Sequence, residues 1–193
     1  MDEAQLITGI QQGDRKSFRL LVEKYQKMVV NTCLGIVHNQ GDAEDLAQDV
    51  FLEIFRTAES FRGDAKLSTW LYRIAVNRSL NLIRNKKRKG FFQSLEEAFT
   101  SGRNRNNEIS DHYSDQPDRN ITDQQRSAML YRALDQLPEK QRIAFTLNKY
   151  EELPYRQIAE IMKISLASVE SLIHRAKKNL QEQLFDCYKK KCI

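Results

Sequence analysis

Between residues 43 and 58, the apolar residues Ala43, Leu46, Ala47, Val50, Phe51, Ile54, Phe55 and Ala58 recur at i, i+3, i+4, i+7, i+8, i+11, i+12 and i+15. An α-helix places such a series on one side, whereas a strand needs alternation at every second residue. The segment is therefore one long helix that must bury a continuous stripe against other helices. Its opposite face carries Glu44, Asp45, Gln48, Asp49 and Glu53. From 42 to 53 there are five acids and no base.

The same period runs through most of the chain. Phe18, Leu21, Val22, Tyr25, Val29, Cys33 and Ile36 predict a helix over 14–37, with Asp14 as its cap. "HNQGD" at 38–42 breaks the pattern, and Asp42 is expected to cap the next helix. The polar segment 61–68, with one glycine, interrupts again. Ser68 or Thr69 restarts a helix that can run to about residue 88. Further helices are expected over 126–136, 138–149, 154 to about Met162, and 166 to about 185. Pro138 and Pro154 suit first helical positions, where a missing N–H costs nothing, and Ser165 suits a cap. With only seven glycines, three prolines and short β-branched runs, the fold class is all-α.

Composition changes between 94 and 125, a polar, asparagine-rich stretch with net charge −4. It reads as a flexible linker mostly without regular structure. The expected organisation is two small helical domains, 1–92 and 126–193, joined by a linker over 93–125. The whole chain carries +5, so the part outside the linker carries +9. Five bases (Arg84, Lys86, Lys87, Arg88 and Lys89) fall within 84–89. An anionic partner is expected.

Several function classes find no support. There is no P-loop, no HExxH and no recognisable nucleophile–base pair, and His38, His112 and His174 are isolated, so an enzyme is not expected. The three cysteines, Cys33, Cys187 and Cys192, are odd in number and scattered, which suits neither a disulfide framework nor a metal site. No cofactor is expected. No apolar run approaches the roughly 20 residues that span a bilayer, so no membrane insertion is expected. The acidic start lacks the long apolar core of a secretory signal, and a cytoplasmic location is expected.

Residues 154–180 have the pattern of a helix-turn-helix, two short helices joined by a three- or four-residue turn. Ile158, Met162 and Val169 are expected to fill the wedge, Ala159 to allow close crossing, and Ile164 to plug the turn. Lys163 stands where the turn often has glycine. Val169, Ile173, Ala176 and Leu180 form the buried stripe of the second helix. Ser168, Ser171, Arg175 and Lys178 face outward, with His174 and Lys177 beside them. These residue types can hydrogen-bond base edges or neutralise phosphate. The same face also fits the solvated side of a plain helical bundle.

"DAEDLAQDVFLEIFR" (42–56) and "FRGDAKLSTWLYRIAVNRSLN" (61–81) together resemble region 2 of the extracytoplasmic-function sigma factors of the sigma-70 family. "LPEKQRIAFTLNKYEELPYRQIAEIMKISLASVESLIHRAKKNL" (137–180) resembles their region 4. Order and spacing match over nearly the whole chain outside the linker.

The resemblance implies an initiation factor that binds core RNA polymerase, through the β′ clamp helices and the β subunit, and directs promoter recognition and melting. It places Asp45, Gln48, Asp49 and Leu52 at the polymerase contact. A concentrated acidic face beside an apolar residue independently suits a basic protein partner. The resemblance places Arg62, Gly63, Asp64, Lys66, Leu67, Asn77 and Arg78 at the −10 element, which the family captures as single-stranded DNA with a base turned into a loop pocket. Asn77 matches a position that touches that base. Arg84, Lys86, Lys87 and Arg88 can follow phosphates of the upstream duplex. Trp70 is read as core rather than as a stacking platform.

In region 4 the resemblance places Ser168, Ser171, His174, Arg175 and Lys178 at the −35 element, with Tyr155 and Arg156 as backbone contacts. Glu170 and Leu172 stand where many members are basic, so the family's −35 preference does not transfer. Glutamate accepts from cytosine N4 rather than binding phosphate. The linker matches the segment that threads through the polymerase. Family members are commonly held inactive by an anti-sigma factor, which makes one a candidate partner. The competing reading is an autonomous helix-turn-helix regulator that uses only 127–193.

Overall fold

A computed structural model describes residues 3–189 apart from Arg62, Asp64 and 101–122, and for 94–100, 123–124 and 186–189 it describes the backbone alone. The described residues are helical, with no strand among them. The order is α1 (Glu3–Gln11), α2 (Arg15–Val37), α3 (Gln40–Thr57), a 3-10 turn (Ala58–Ser60), α4 (Leu67–Thr100), α5 (Asp123–Gln136), α6 (Glu139–Lys149), α7 (Tyr155–Met162) and α8 (Leu166–Lys189).

Local chemistry fixes most of the boundaries. Asp14 caps α2 as expected, accepting from the backbone N–H groups of Lys16 and Ser17 and from the Ser17 hydroxyl. The cap of α3 is Asn39, not Asp42. The Asn39 side-chain oxygen accepts from the Asp42 N–H at 2.9 Å, which puts Asp42 in the first turn. A carboxylate there still complements the positive end of the helix. Ser165 caps α8 through the Ser168 N–H. Pro138 and Pro154 each stand one place before their helix. The linker expected over 93–125 lies largely outside the described residues. Where its ends are described they are helical, since α4 runs to Thr100 and α5 starts at Asp123.

The stripe of α3 packs as its spacing requires. Ala43, Leu46, Ala47, Val50, Phe51 and Ile54 are buried with Leu21, Tyr25, Val29 and Cys33 of α2 and Leu67, Leu71, Ile74 and Ala75 of α4. Phe55 stays partly exposed and meets Phe18 edge-on at 5.0 Å between ring centres. The short helix α1 was not anticipated. It is tied down by Glu3, whose carboxylate accepts from Tyr25 Oη at 2.5 Å and Lys24 Nζ at 3.0 Å. Trp70 packs on this core, its ring 4.8 Å from that of Phe61, as expected. Burial pushes the thiol of Cys33 up to about 11, which makes it a packing residue rather than a reactive one.

In the C-terminal half, α5 and α8 bury Ala133, Leu134, Leu137, Ala176 and Leu180 together. The helix-turn-helix forms over α7 and α8. Ile158, Val169 and Ile173 fill its wedge; Ile158 and Ile161 are the buried residues of α7, while Met162, expected in the wedge, is half-buried against the same cluster. Lys163 takes the left-handed conformation, φ 53°, and the Ile164 N–H closes the turn onto the Ala159 carbonyl at 3.1 Å. A residue with a Cβ is disfavoured there by about 1 kcal/mol relative to glycine. Lys163→Gly is therefore expected to raise unfolding stability by roughly 1 kcal/mol, less the entropy glycine regains in the unfolded chain. Chemical denaturation checks this, and a loss of stability contradicts it.

The two helical domains are joined by more than their connection. A third cluster contains Ile36 of α2 and Tyr72 and Val76 of α4 together with Ile143, Ala144 and Leu147 of α6, Ile158 and Ile161 of α7, and Val169 and Ile173 of α8. The helix α4 is thus apolar on two sides, one for each domain.

Candidate nucleic-acid interface

The acidic face of α3 is free at the surface. Asp45, Gln48, Asp49 and Leu52 are all exposed and lie at i, i+3, i+4 and i+7, on one side of the helix. Leu52 is 49% exposed, a large apolar residue beside two carboxylates. Burial of the opposite stripe forces this face outward.

The interrupting loop is anchored at its start. Gln11 Nε2 donates to the carbonyls of Ala58 and Phe61 at 3.1 and 3.2 Å, a role no local sequence signal announces. Gly63 has φ +77°, and nothing lies within 4 Å of where a Cβ would sit. Backbone conformation, not crowding, thus requires glycine there. Gly63 and Lys66 are exposed, while Arg62 and Asp64 lie outside the described residues. Leu67 does not join them. It is only 2% exposed and is the first apolar residue of α4 in the N-terminal core, so its expected place at the DNA surface is corrected.

Asn77 is exposed on α4, at an open recess of about 470 Å³ lined by Glu53, Asn77, Arg78, Leu80, Asn81 and Arg84. The recess is lined by α3 and α4 and includes no residue of the loop 61–68, where the resemblance implies a base pocket; Glu53 and Asn81 line it as well and were not singled out in the sequence. Arg78 is ion-paired, its Nε donating to Glu53 at 2.5 Å. Arg84 makes a forked contact with Glu139 of α6, at 3.2, 3.2 and 2.6 Å. That contact holds the Glu139 carboxyl below the usual carboxylate range. Lys86 pairs with Asp42. Lys87, Arg88 and Lys89 are exposed along the same helix. The basic end of α4 is therefore cationic but partly engaged with acids of its own chain.

On α8, Ser168, His174, Arg175 and Lys178 are exposed and Ser171 is half-buried. They are presented opposite the buried stripe of Val169, Ile173, Ala176 and Leu180, as the pattern expects. Glu170 is exposed on the same helix and Leu172 is half-buried against the shared cluster, which accounts for an apolar residue at that place. Arg156 is exposed at the start of α7, whereas Tyr155 is half-buried against the shared cluster. No group of metal-ligating side chains is found among the described residues, and none of their helices is long and apolar enough to cross a membrane.

Known proteins share this layout. Residues 21–89 match the family described as Sigma-70 region 2, and residues 127–180 match Sigma-70, region 4. The RNA polymerase sigma-H factor of Pseudomonas aeruginosa is 34% identical over 185 residues, 94% of this chain and 93% of that protein. The ECF RNA polymerase sigma-E factor of Escherichia coli K12 is 34% identical over 183 residues, 93% and 92%. Among solved structures, CnrH in complex with the cytosolic domain of CnrY has a TM-score of 0.66 at 19% identity, covering 94% of this chain and 96% of that one. The sigma factor RpoE of Bartonella quintana, in complex with the anti-sigma factor NepR, has a TM-score of 0.61 at 22% identity, covering 88% and 97%. The two structures speak to the fold, and the two sequence relatives to the family. The chain belongs to the extracytoplasmic-function sigma factors of the sigma-70 family, non-enzymatic factors that serve RNA polymerase in promoter recognition.

Proposed function

We propose a division of labour among three surfaces of this sigma factor. The exposed face of α3 (Asp45, Gln48, Asp49 and Leu52) docks on the β′ clamp helices of core polymerase. Gly63, Lys66 and Asn77, with Arg62 and Asp64, take the unpaired −10 strand. Arg78, Arg84, Lys86, Lys87 and Arg88 follow phosphates next to it. Ser168, Ser171, His174, Arg175 and Lys178 read the −35 duplex, with Tyr155 and Arg156 on its backbone.

The observation that carries this reading is the separation of charge by surface. An exposed acidic face with one large apolar residue lies on α3, while cationic, hydrogen-bonding faces lie on α4 and α8. Carboxylates repel DNA but suit a basic protein partner, so the α3 face is not a DNA contact. The sequence carries no ATP-binding motif, so on this reading binding energy opens the duplex. Unpairing costs a few kcal/mol, which stacking and phosphate contacts can offset. The likeness to RpoE of Bartonella quintana, solved in complex with the anti-sigma factor NepR, supports an anti-sigma factor as a further partner class.

Gel shifts with and without core polymerase test the proposal. The chain alone is expected to bind promoter duplex weakly, and core polymerase to make binding tight and sequence-specific. Tight, specific binding by the free chain supports the autonomous regulator instead.

A further inference from the structure

The distal turns of α4 carry two large rings that none of the proposed contacts uses. Phe91 is 64% exposed and Phe92 58%, the two most exposed large apolar side chains among the described residues. Every residue from Arg84 to Gln93 is exposed, so this part of the helix projects without tertiary cover. It holds five basic residues and no acid. Arg84, Lys87, Arg88, Phe91 and Phe92 stand at i, i+3, i+4, i+7 and i+8 and therefore share one face. Along that face the charges come first and the rings follow. Arg84 is held by Glu139 and Lys86, on the flank, by Asp42. Lys87, Arg88 and Lys89 are exposed.

The face asks for a partner that is both anionic and apolar. Duplex DNA meets the charges through phosphate, but two adjacent rings find little apolar surface on it, because its nucleobases stack on one another. An unpaired strand has open nucleobase faces. The strand assigned to Asn77, however, is about 21 Å from Phe91 along the helix at 1.5 Å per residue, with the duplex contacts between them. The rings also meet edge to face, 6.3 Å apart at 72°, so they offer no pair of parallel faces to successive nucleobases. A protein surface fits less well by composition, since three of the five basic residues are lysine, which is depleted at protein interfaces.

An anionic lipid surface takes both halves. Headgroup phosphates meet the basic residues, whose aliphatic stems lie along the surface, and the rings enter the acyl boundary beneath. A basic cluster or an apolar anchor alone binds a membrane marginally, and the two together supply the pair of signals that stable association needs.

We propose that the face formed by Lys87, Arg88, Phe91 and Phe92 is a peripheral docking site for an anionic lipid surface. The contact is superficial, since no helix among the described residues is long and apolar enough to cross a bilayer. Lys87 and Arg88 are also assigned above to duplex phosphate, so a chain seated on lipid cannot give them to a promoter. That competition rests on the function proposed above, whereas the lipid contact does not.

Co-sedimentation of the full-length chain with vesicles tests the site. Binding is expected to vesicles of phosphatidylcholine mixed with phosphatidylglycerol and not to phosphatidylcholine alone. Release is expected in about 1 M salt, where the Debye length is about 3 Å. Phe91→Gln combined with Phe92→Gln is expected to weaken vesicle binding by about tenfold or more. The melting curve and polymerase-dependent transcription of that variant should not change, because both rings are exposed and glutamine is a good helix former. In Phe92→Trp, lipids with brominated acyl chains are expected to quench the new indole and to spare Trp70, which packs on Phe61 and the N-terminal core.

No binding to the anionic vesicles overturns the proposal. So does binding that survives the double substitution, that ignores phosphatidylglycerol, or that occurs without quenching. Loss of promoter binding by the polymerase complex in the double variant, with vesicle binding intact, assigns the rings to nucleic acid and overturns it as well. Vesicle binding needs no polymerase, so a failure of chain-dependent transcription counts against the function proposed above and not against this site.

Discussion

Asp49→Lys will remove most polymerase-dependent transcription while leaving the protein folded. Asp49 is exposed on α3 with its backbone held in mid-helix, so the new side chain meets solvent and lysine is a good helix former. On the docking proposed for α3, the lysine faces a basic surface of the polymerase. Juxtaposed like charges cost several kcal/mol, so binding to core polymerase is expected to weaken by about a hundredfold or more. Thermal unfolding should move little, since surface substitutions of this kind usually stay within about 0.5 kcal/mol. Co-purification with core polymerase and a melting curve on the same sample check both halves. Retained polymerase binding contradicts the docking face assigned to α3.

The second large effect is at Asn77. Its side chain is exposed beside the recess lined by Glu53, Arg78, Asn81 and Arg84, and its amide can both donate to and accept from a base edge. Asn77→Ala removes that pairing but not the packing of α4, whose buried residues Ile74, Ala75 and Val76 lie on other sides. A lost base contact of roughly 1–3 kcal/mol corresponds to about tenfold or more in promoter opening. Core binding should be unchanged. Permanganate footprinting of unpaired thymines, beside a polymerase-binding assay, separates the two. Equal losses in both assays contradict a direct role for Asn77 at the unpaired strand.

Asp49→Lys and Asn77→Ala are expected to fail at opposite steps. That opposition distinguishes a sigma factor from a DNA-binding regulator. A regulator has no use for the α3 face, and its DNA contacts would all lie in α7 and α8.

Much of this was legible in the sequence because the helices have strict one-sided periodicity. The stripe from Ala43 to Ala58 marked α3, and the outward acidic face followed from it. Val169, Ile173, Ala176 and Leu180 marked α8 in the same way, and the left-handed turn at Lys163 followed from the helix-turn-helix pattern. The helix α4 shows where periodicity stops informing. Leu71 and Ala75 face one domain while Tyr72 and Val76 face the other. A helix buried on two sides has no single apolar stripe, so the second face, and with it the seam between domains, was not visible.

Other misses have local causes. "HNQGD" contains two residues able to cap, Asn39 and Asp42, and sequence alone does not rank them. Leu67 follows the polar loop and so reads as part of it, yet it is the first apolar residue of a buried turn. The acids that hold Arg78 and Arg84 are 25 and 55 residues away in the chain, beyond any local pattern. Gln11 is similarly distant from the loop it anchors.

The most direct test of the whole account is run-off transcription with core RNA polymerase, the unsubstituted chain and a library of randomised promoters. The account predicts transcripts that appear only when the chain is added, start at defined sites, and share both a −10 and a −35 element. No start site that depends on the chain, at any promoter in the library, contradicts it.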